Sequence, residues 1–319
     1  MIVDRRERLH ATLRGESIDG VLCGFWHHFS SDNWTGRAAV EAHLDYYQKV
    51  KPDILKVMNE HFYRMEKPIS NISDWKDLKA LPWERTGYEE YLTEFRMLRA
   101  ELPQDLPLFA TVHGVLVSAY HATEEPGYFA NPDNLVSRHL REDPETVATA
   151  LKSVVKTLCE LSTKLVEAGA DGIFYAALGG EAHRFEQSLF EKYVRPLDAA
   201  VVDHINEQGA ISILHICKGG TNIPMYSPIN ADVINWAIHE SDYTLADGRR
   251  LFPGKTLLGG FDDRSGVLVD GPTEEIARTA AEIVAEVGRE RFIIGADCTL
   301  PENIEVSHLR AVMDAAGDL

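Results

Sequence analysis

Eight short aliphatic or β-branched runs, each followed by a longer stretch with helical spacing, predict an α/β fold, a (β/α)8 TIM barrel. Two further observations agree. The length of 319 residues is one that such barrels fill as a single domain. Histidines, cysteines and acids also gather where the runs end, which is where barrel active sites form. Residues 1–319 are therefore read as one barrel domain with an N-terminal helical extension and capping insertions.

The runs, in order, are Val21–Trp26, Asp53–Met58, Leu108–Val112, Gly172–Ala176, Ile211–Cys217, Asp232–Ala237, Thr256–Gly260 and Arg291–Gly295. Between the third and fourth, Val147, Leu151, Val154, Leu158, Leu161 and Leu165 recur three or four residues apart, the spacing of a helix with one buried face. Asp143-Pro144 supplies an N-cap and a first-turn proline, and Gly169 supplies the stop. A second helix begins after Pro272 with Thr273, Glu274 and Glu275 and runs to Gly288. Insertions after the second run (Asn59–Trp83) and the third (Tyr120–Arg141) read as segments capping the strand ends. An open doubly wound sheet also alternates strands and helices, but it usually places a glycine-rich phosphate turn after its first strand. Here that place holds His27-His28-Phe29-Ser30.

Composition narrows the function classes. Lys and Arg number 32 against 50 Asp and Glu, a net charge of −18, whereas nucleic acids and acidic membrane surfaces call for clustered cations. Hydrophobic residues at 45% and charged residues at 26% are an ordinary globular balance. No apolar run approaches the roughly 20 residues of a membrane span. The opening MIVDRRERLHATLRGE lacks the apolar core of a signal peptide, so a cytoplasmic protein is expected. The sequence leaves a monomer or a homodimer open.

Four cysteines are not a disulfide framework in a chain of this kind. Cys23 lies mid-strand and Cys159 within a helix, and both read as core. Cys217 ends the fifth run two residues after His215, and Cys298 follows the eighth run. Residues i and i+2 of a strand share a face, so His215 and Cys217 can both point into the barrel mouth, and barrel closure would bring Cys298 to them. One imidazole and two thiolates suit Zn²⁺, with a fourth position left open as in catalytic sites. The competing reading is a histidine and two cysteines that simply pack.

Other strand-end residues are candidates of lower specificity. Glu181, after Gly179-Gly180, reads as a fourth ligand or proton acceptor, or else as a solvated loop carboxylate. Asp262 and Asp263 read as partners of a substrate or of a ligand histidine, or as loop aspartates, and Asp297 as another partner of a ligand. His27 and His28 follow the first run, where one is expected to contact substrate. Asn59, His113 and Trp236 stand at the ends of the second, third and sixth runs as substrate-binding candidates, with Trp26 and Trp236 also readable as pocket wall or core, and His183 as a further pocket residue.

The chain resembles the uroporphyrinogen decarboxylase superfamily, and within it the zinc-dependent cobalamin methyltransferase branch. RERLHATLRGESIDGVLCGFW is similar to the family's first helix, turn and strand. EDPETVATALKSVVKTLCELSTKLVEAGADGIFYA looks like its long helix and fourth strand. ISILHICKG carries the His-x-Cys motif, TLLGGFDDRSGVLVDGPTEEI follows the next strand and helix, and FIIGADCTLPENIEVSHLRAVMDA places Cys298 at the third ligand position. The resemblance implies Zn²⁺ held by His215, Cys217 and Cys298, a thiol or related acceptor activated at the open position, and a methyl group exchanged with a corrinoid on a partner protein. It departs from the decarboxylases. Their arginine-rich stretch after the first strand is replaced by GFWHHFSSDNW, and their catalytic aspartate aligns with Asn59. A decarboxylase acting on a polycarboxylate is not expected, and a non-catalytic barrel with a structural or binding role is the alternative.

Overall fold

The computed structural model describes residues 4–123, 125, 127 and 131–319. Eight parallel strands form one curled sheet: β1 (Leu22–Cys23), β2 (Leu55–Val57), β3 (Leu108–His113), β4 (Gly172–Ala177), β5 (Ile211–Ile216), β6 (Val233–Trp236), β7 (Thr256–Phe261) and β8 (Phe292–Ala296). Each falls within or against its predicted run. The sheet order is β1-β8-β7-β6-β5-β4-β3-β2, a TIM-barrel-like arrangement. At the seam between β1 and β2, the Asp53 and Ile54 amides donate to the Cys23 carbonyl at 3.1 and 3.4 Å. Glycine is needed there, because a Cβ on Gly24 would come within 2.6 Å of Ile54 Cγ1.

The buried apolar residues separate into two clusters, as a curled sheet with helices outside requires. Inside are Leu22, Trp26, Ile54, Met58, Phe109, Phe174, Ile213, Val233, Leu258 and Ile293, taken from alternate positions of the strands and of the residues that flank β1 and β2. The larger cluster fills the layer between sheet and helices. Helix α1 (Arg5–Arg14) packs Leu9 against the inner cluster, and ion pairs from Arg8 to Asp53 (3.1 Å) and Arg6 to Asp171 (2.5 Å) tie it to the N-terminal ends of strands.

The long helix spans Pro144–Glu167, with the Asp143 side chain accepting from the Thr146 amide as its cap. All six residues of its predicted apolar stripe are buried. Thr273–Val287 is helical too, burying Ile276, Ala280 and Val284 at i, i+4 and i+8 and stopping at Gly288, whose φ is +84°. In the first insertion Trp75 is fully buried, and its indole N–H donates to His139 at 2.9 Å. Part of the second insertion, residues 124, 126 and 128–130, lies outside the described residues. No helix among the described residues is long and apolar enough to cross a membrane.

Candidate metal centre

A cavity of about 600 Å³ opens at the C-terminal ends of the strands. His28, Lys56, Asn59, Glu60, Phe62 and His113 line it from the first three strands and their loops. His215, Cys217, Asp263, Arg264 and Cys298 line it from the fifth, seventh and eighth.

The three expected ligands converge here. His215 Nε2 and the sulfurs of Cys217 and Cys298 lie within 4.8 Å of one another, and Cys298 Sγ is 3.4 Å from His215 Nε2. Tetrahedral zinc with N and S ligands puts donor atoms about 3.5–3.8 Å apart, so the residues fit the ion with small adjustments. The thiols favour unequal protonation. A hydrogen bond from Cys217 pulls Cys298 well below the ordinary thiol range, and the same contact pushes Cys217 up.

The other nitrogen of His215 has a fixed partner. Nδ1 lies 2.5 Å from Asn235 Oδ1, while Asn235 Nδ2 donates to the carbonyls of Leu258 (2.9 Å) and Ala296 (3.1 Å). Both amide hydrogens are used, so the oxygen must face the imidazole, and Nδ1 carries the proton. Nε2 is then a lone-pair donor aimed at the two sulfurs. Phe174 packs on the same imidazole with ring centres 5.2 Å apart.

Sequence reasoning placed Trp236 at this site, and the structure corrects it. Asn235 pairs in register with His215 and Trp236 with Ile216, so successive residues face opposite sides of β6. Asn235 faces inward. Trp236 is fully buried in the outer layer, against Gly248, with its N–H donating to the Tyr243 carbonyl at 3.1 Å.

Four more expectations are corrected. Glu181 is neither solvated nor on the cavity wall. It is buried, accepting from the Gly179 amide at 2.9 Å and pairing with Arg184 at 2.9 Å. A buried carboxylate needs such partners, and a following Arg184 three residues on was the missed signal. Asp262 caps its own loop, accepting from the amides of Arg264 (2.8 Å) and Ser265 (3.3 Å), whereas its neighbour Asp263 lines the cavity. Burial raises Asp263 to about 6. His27 does not line the cavity; its ring sits between Phe29 and Tyr46 at 5.0 and 5.3 Å. His183 is exposed and off the cavity as well.

His28, Asn59 and His113 do line it. His28 Nδ1 is 2.6 Å from Glu60 Oε1. Asn59 is held by the Thr111 carbonyl (3.1 Å) and the His61 amide (2.9 Å). His113 Nδ1 is buried without a hydrogen-bond partner, and burial keeps the ring neutral. Asp297, beside Cys298, receives both the amide and the imidazole Nδ1 of His239 at 2.7 and 3.0 Å.

Lys56 went unnoticed in the sequence. It is the one charged residue in the run Asp53–Met58 after the leading aspartate, between Ile54 and Met58, which both face the interior. It is buried, and its Nζ lies 4.1 Å from the Phe174 ring centre and 4.9 Å from that of Trp26.

The uroporphyrinogen decarboxylase family model matches residues 58–319. No curated protein matches the sequence. Among solved structures, a methyltransferase from Methanosarcina mazei superposes with a TM-score of 0.80 over 98% of both chains at 14% identity. A B12-independent methionine synthase from Shewanella sp. W3-18-1, in complex with selenomethionine, gives 0.62 at 14% identity over 93% of this chain and 97% of its own. A putative vitamin-B12-independent methionine synthase from Listeria monocytogenes gives 0.58 at 12% identity, over 96% and 97%. At these identities the likeness is one of fold.

Proposed function

This chain belongs to the uroporphyrinogen decarboxylase family, and from that membership and the donor set at the barrel mouth we propose a zinc-dependent methyltransferase. It moves a methyl group between a corrinoid, carried by a partner protein, and a thiol. The observation that carries this reading is the convergence of His215 Nε2 and two cysteine sulfurs on the wall of a substrate-sized cavity. Methyl transfer also appears in the names of the Methanosarcina neighbour and, as methionine synthase, of the other two.

Zinc, when bound at this set, holds a substrate thiol as the thiolate at neutral pH. The chain does the rest. Cys217 and Cys298 contribute two negative charges, which suit the site to thiol activation better than to water activation. Asn235 keeps the His215 Nε2 lone pair directed at the point between the two sulfurs where the ion would sit. Trp26, Met58 and Phe174, from the apolar interior, exclude water below it. His28, Asn59 and His113 face the substrate from the opposite set of loops. A corrinoid on the partner would supply the methyl group or take it up, and the cavity residues of this chain would present the substrate sulfur to it.

Decarboxylation of a polycarboxylate has little support. Among the described residues lining the cavity, Arg264 is the single arginine, and it pairs with Glu240 (3.3 Å) and Asp263 (3.4 Å). The test is metal analysis of the purified protein beside His215→Ala, Cys217→Ala and Cys298→Ala. Stoichiometric zinc that is lost in each variant, and a sulfur-to-metal charge-transfer band when thiols are added to cobalt-substituted protein, are expected. Unchanged zinc in Cys298→Ala, or no band on thiol addition, would sink the reading.

A further inference from the structure

Lys56 is out of place by ordinary rules. The inner faces of β1 to β8 carry an apolar cluster, and Lys56 projects into it from β2. Buried ammonium groups are normally paired with an anion. Among the described residues, no carboxylate lies within ion-pair distance of its Nζ. Glu60, which acts on it from further away, is already engaged by His28 at 2.6 Å. The faces of Phe174 and Trp26 offset part of its desolvation, and burial still pulls the ammonium down to about 8.

The charges that favour its protonated form come first from Cys298 and then from Cys217. Lys56 lines the same cavity as those cysteines, and Phe174 is shared, with Lys56 Nζ at 4.1 Å and the His215 ring at 5.2 Å. The charge count is then informative. A divalent ion with two thiolates and a neutral imidazole is neutral overall. Adding a thiolate makes the set −1, and a nearby ammonium restores balance in a medium that penalises net charge.

We propose that Lys56 is the charge partner of the ligand at the open coordination position, so that this cavity selects an anionic sulfur donor over a neutral one. The proposal rests on the zinc–thiol reading above and assigns to it a buried cation on the wall of the same cavity.

The test compares zinc-loaded wild type with Lys56→Met, Lys56→Gln as a second neutral variant, and Lys56→Arg, after metal content and thermal unfolding of each are measured. Calorimetric dissociation constants are taken for 2-mercaptoethanol, which binds as a thiolate with no other charge, for 3-mercaptopropionate, and for imidazole as a neutral donor. Both neutral variants should keep their zinc and weaken both thiols by about tenfold or more. Imidazole should be unchanged, and Lys56→Arg should recover most of the loss. Equal thiol affinity in wild type and variants overturns the proposal. So does a loss confined to 3-mercaptopropionate, which would assign Lys56 to a remote carboxylate, and so does an equal loss for imidazole. Wild type that holds no zinc, or zinc that takes no thiol, overturns the underlying reading together with this one.

Discussion

The imidazole Nδ1 of His215 lies 2.5 Å from the side-chain oxygen of Asn235, and the two residues face each other in register across β5 and β6. Because the Asn235 amide is also anchored to the carbonyls of Leu258 on β7 and Ala296 on β8, the imidazole orientation is tied to three neighbouring strands. Replacing Asn235 with Leu should weaken zinc binding by about 10- to 100-fold. Competition with a chromophoric chelator measures this directly. An unchanged zinc affinity would remove Asn235 from the site.

Trp236, one residue on, should behave in the opposite way. Truncation of a fully buried Trp to Ala costs about 3–5 kcal/mol, and Trp236→Ala should show that loss in urea unfolding. Its zinc content and thiol affinity should stay within about twofold of wild type. Loss of thiol binding without destabilisation would return Trp236 to the cavity wall.

Acid should destabilise the fold through His43. This ring is buried, with Nε2 accepting from the Met58 amide at 2.9 Å and Nδ1 facing the Ala39 carbonyl at 2.7 Å. Burial pulls its pKa from 6.5 down to about 4. A histidine whose folded value is depressed contributes stability that is present above pH 6.5 and lost as pH falls toward 4. The shift corresponds to about 3 kcal/mol. Unfolding free energies between pH 4 and 7.5 should therefore slope more steeply for wild type than for His43→Gln. Parallel slopes would contradict the assignment.

Metal removal should lower thermal stability, since an ion bound to the folded chain alone stabilises it by mass action. Scanning calorimetry with and without a strong chelator should show a lower Tm for the stripped protein. Cys298→Ala, lacking one of the two sulfurs, should show little response to the chelator. A chelator effect of equal size in both proteins would place the stabilising metal elsewhere.

Much of the molecule was legible because its signals are local. Runs of aliphatic residues marked all eight strands, and the 3.6-residue stripe from Val147 to Leu165 marked the long helix with its Asp143 cap. His215 and Cys217 were legible as a pair because a two-residue strand period is also local. The same period, applied to β6, separates Asn235 from Trp236. Which of the two faces inward depends on the phase of that strand, and the pairing of His215 with Asn235 sets the phase.

What the sequence determined by itself, then, is the alternation of strands and helices and the residue types at their ends, since both follow from neighbours along the chain. Tertiary structure decided which of those residues share a space. It brought Cys298 to His215 across 83 residues, turned Glu181 toward Arg184 and away from the cavity, and set Asp263 on the cavity wall in place of Asp262. It also enclosed Lys56 between two aromatic rings within the barrel. The physical reason is that strand register and closure at the β1–β2 seam are non-local. They fix the direction of each side chain only when all eight strands are in place.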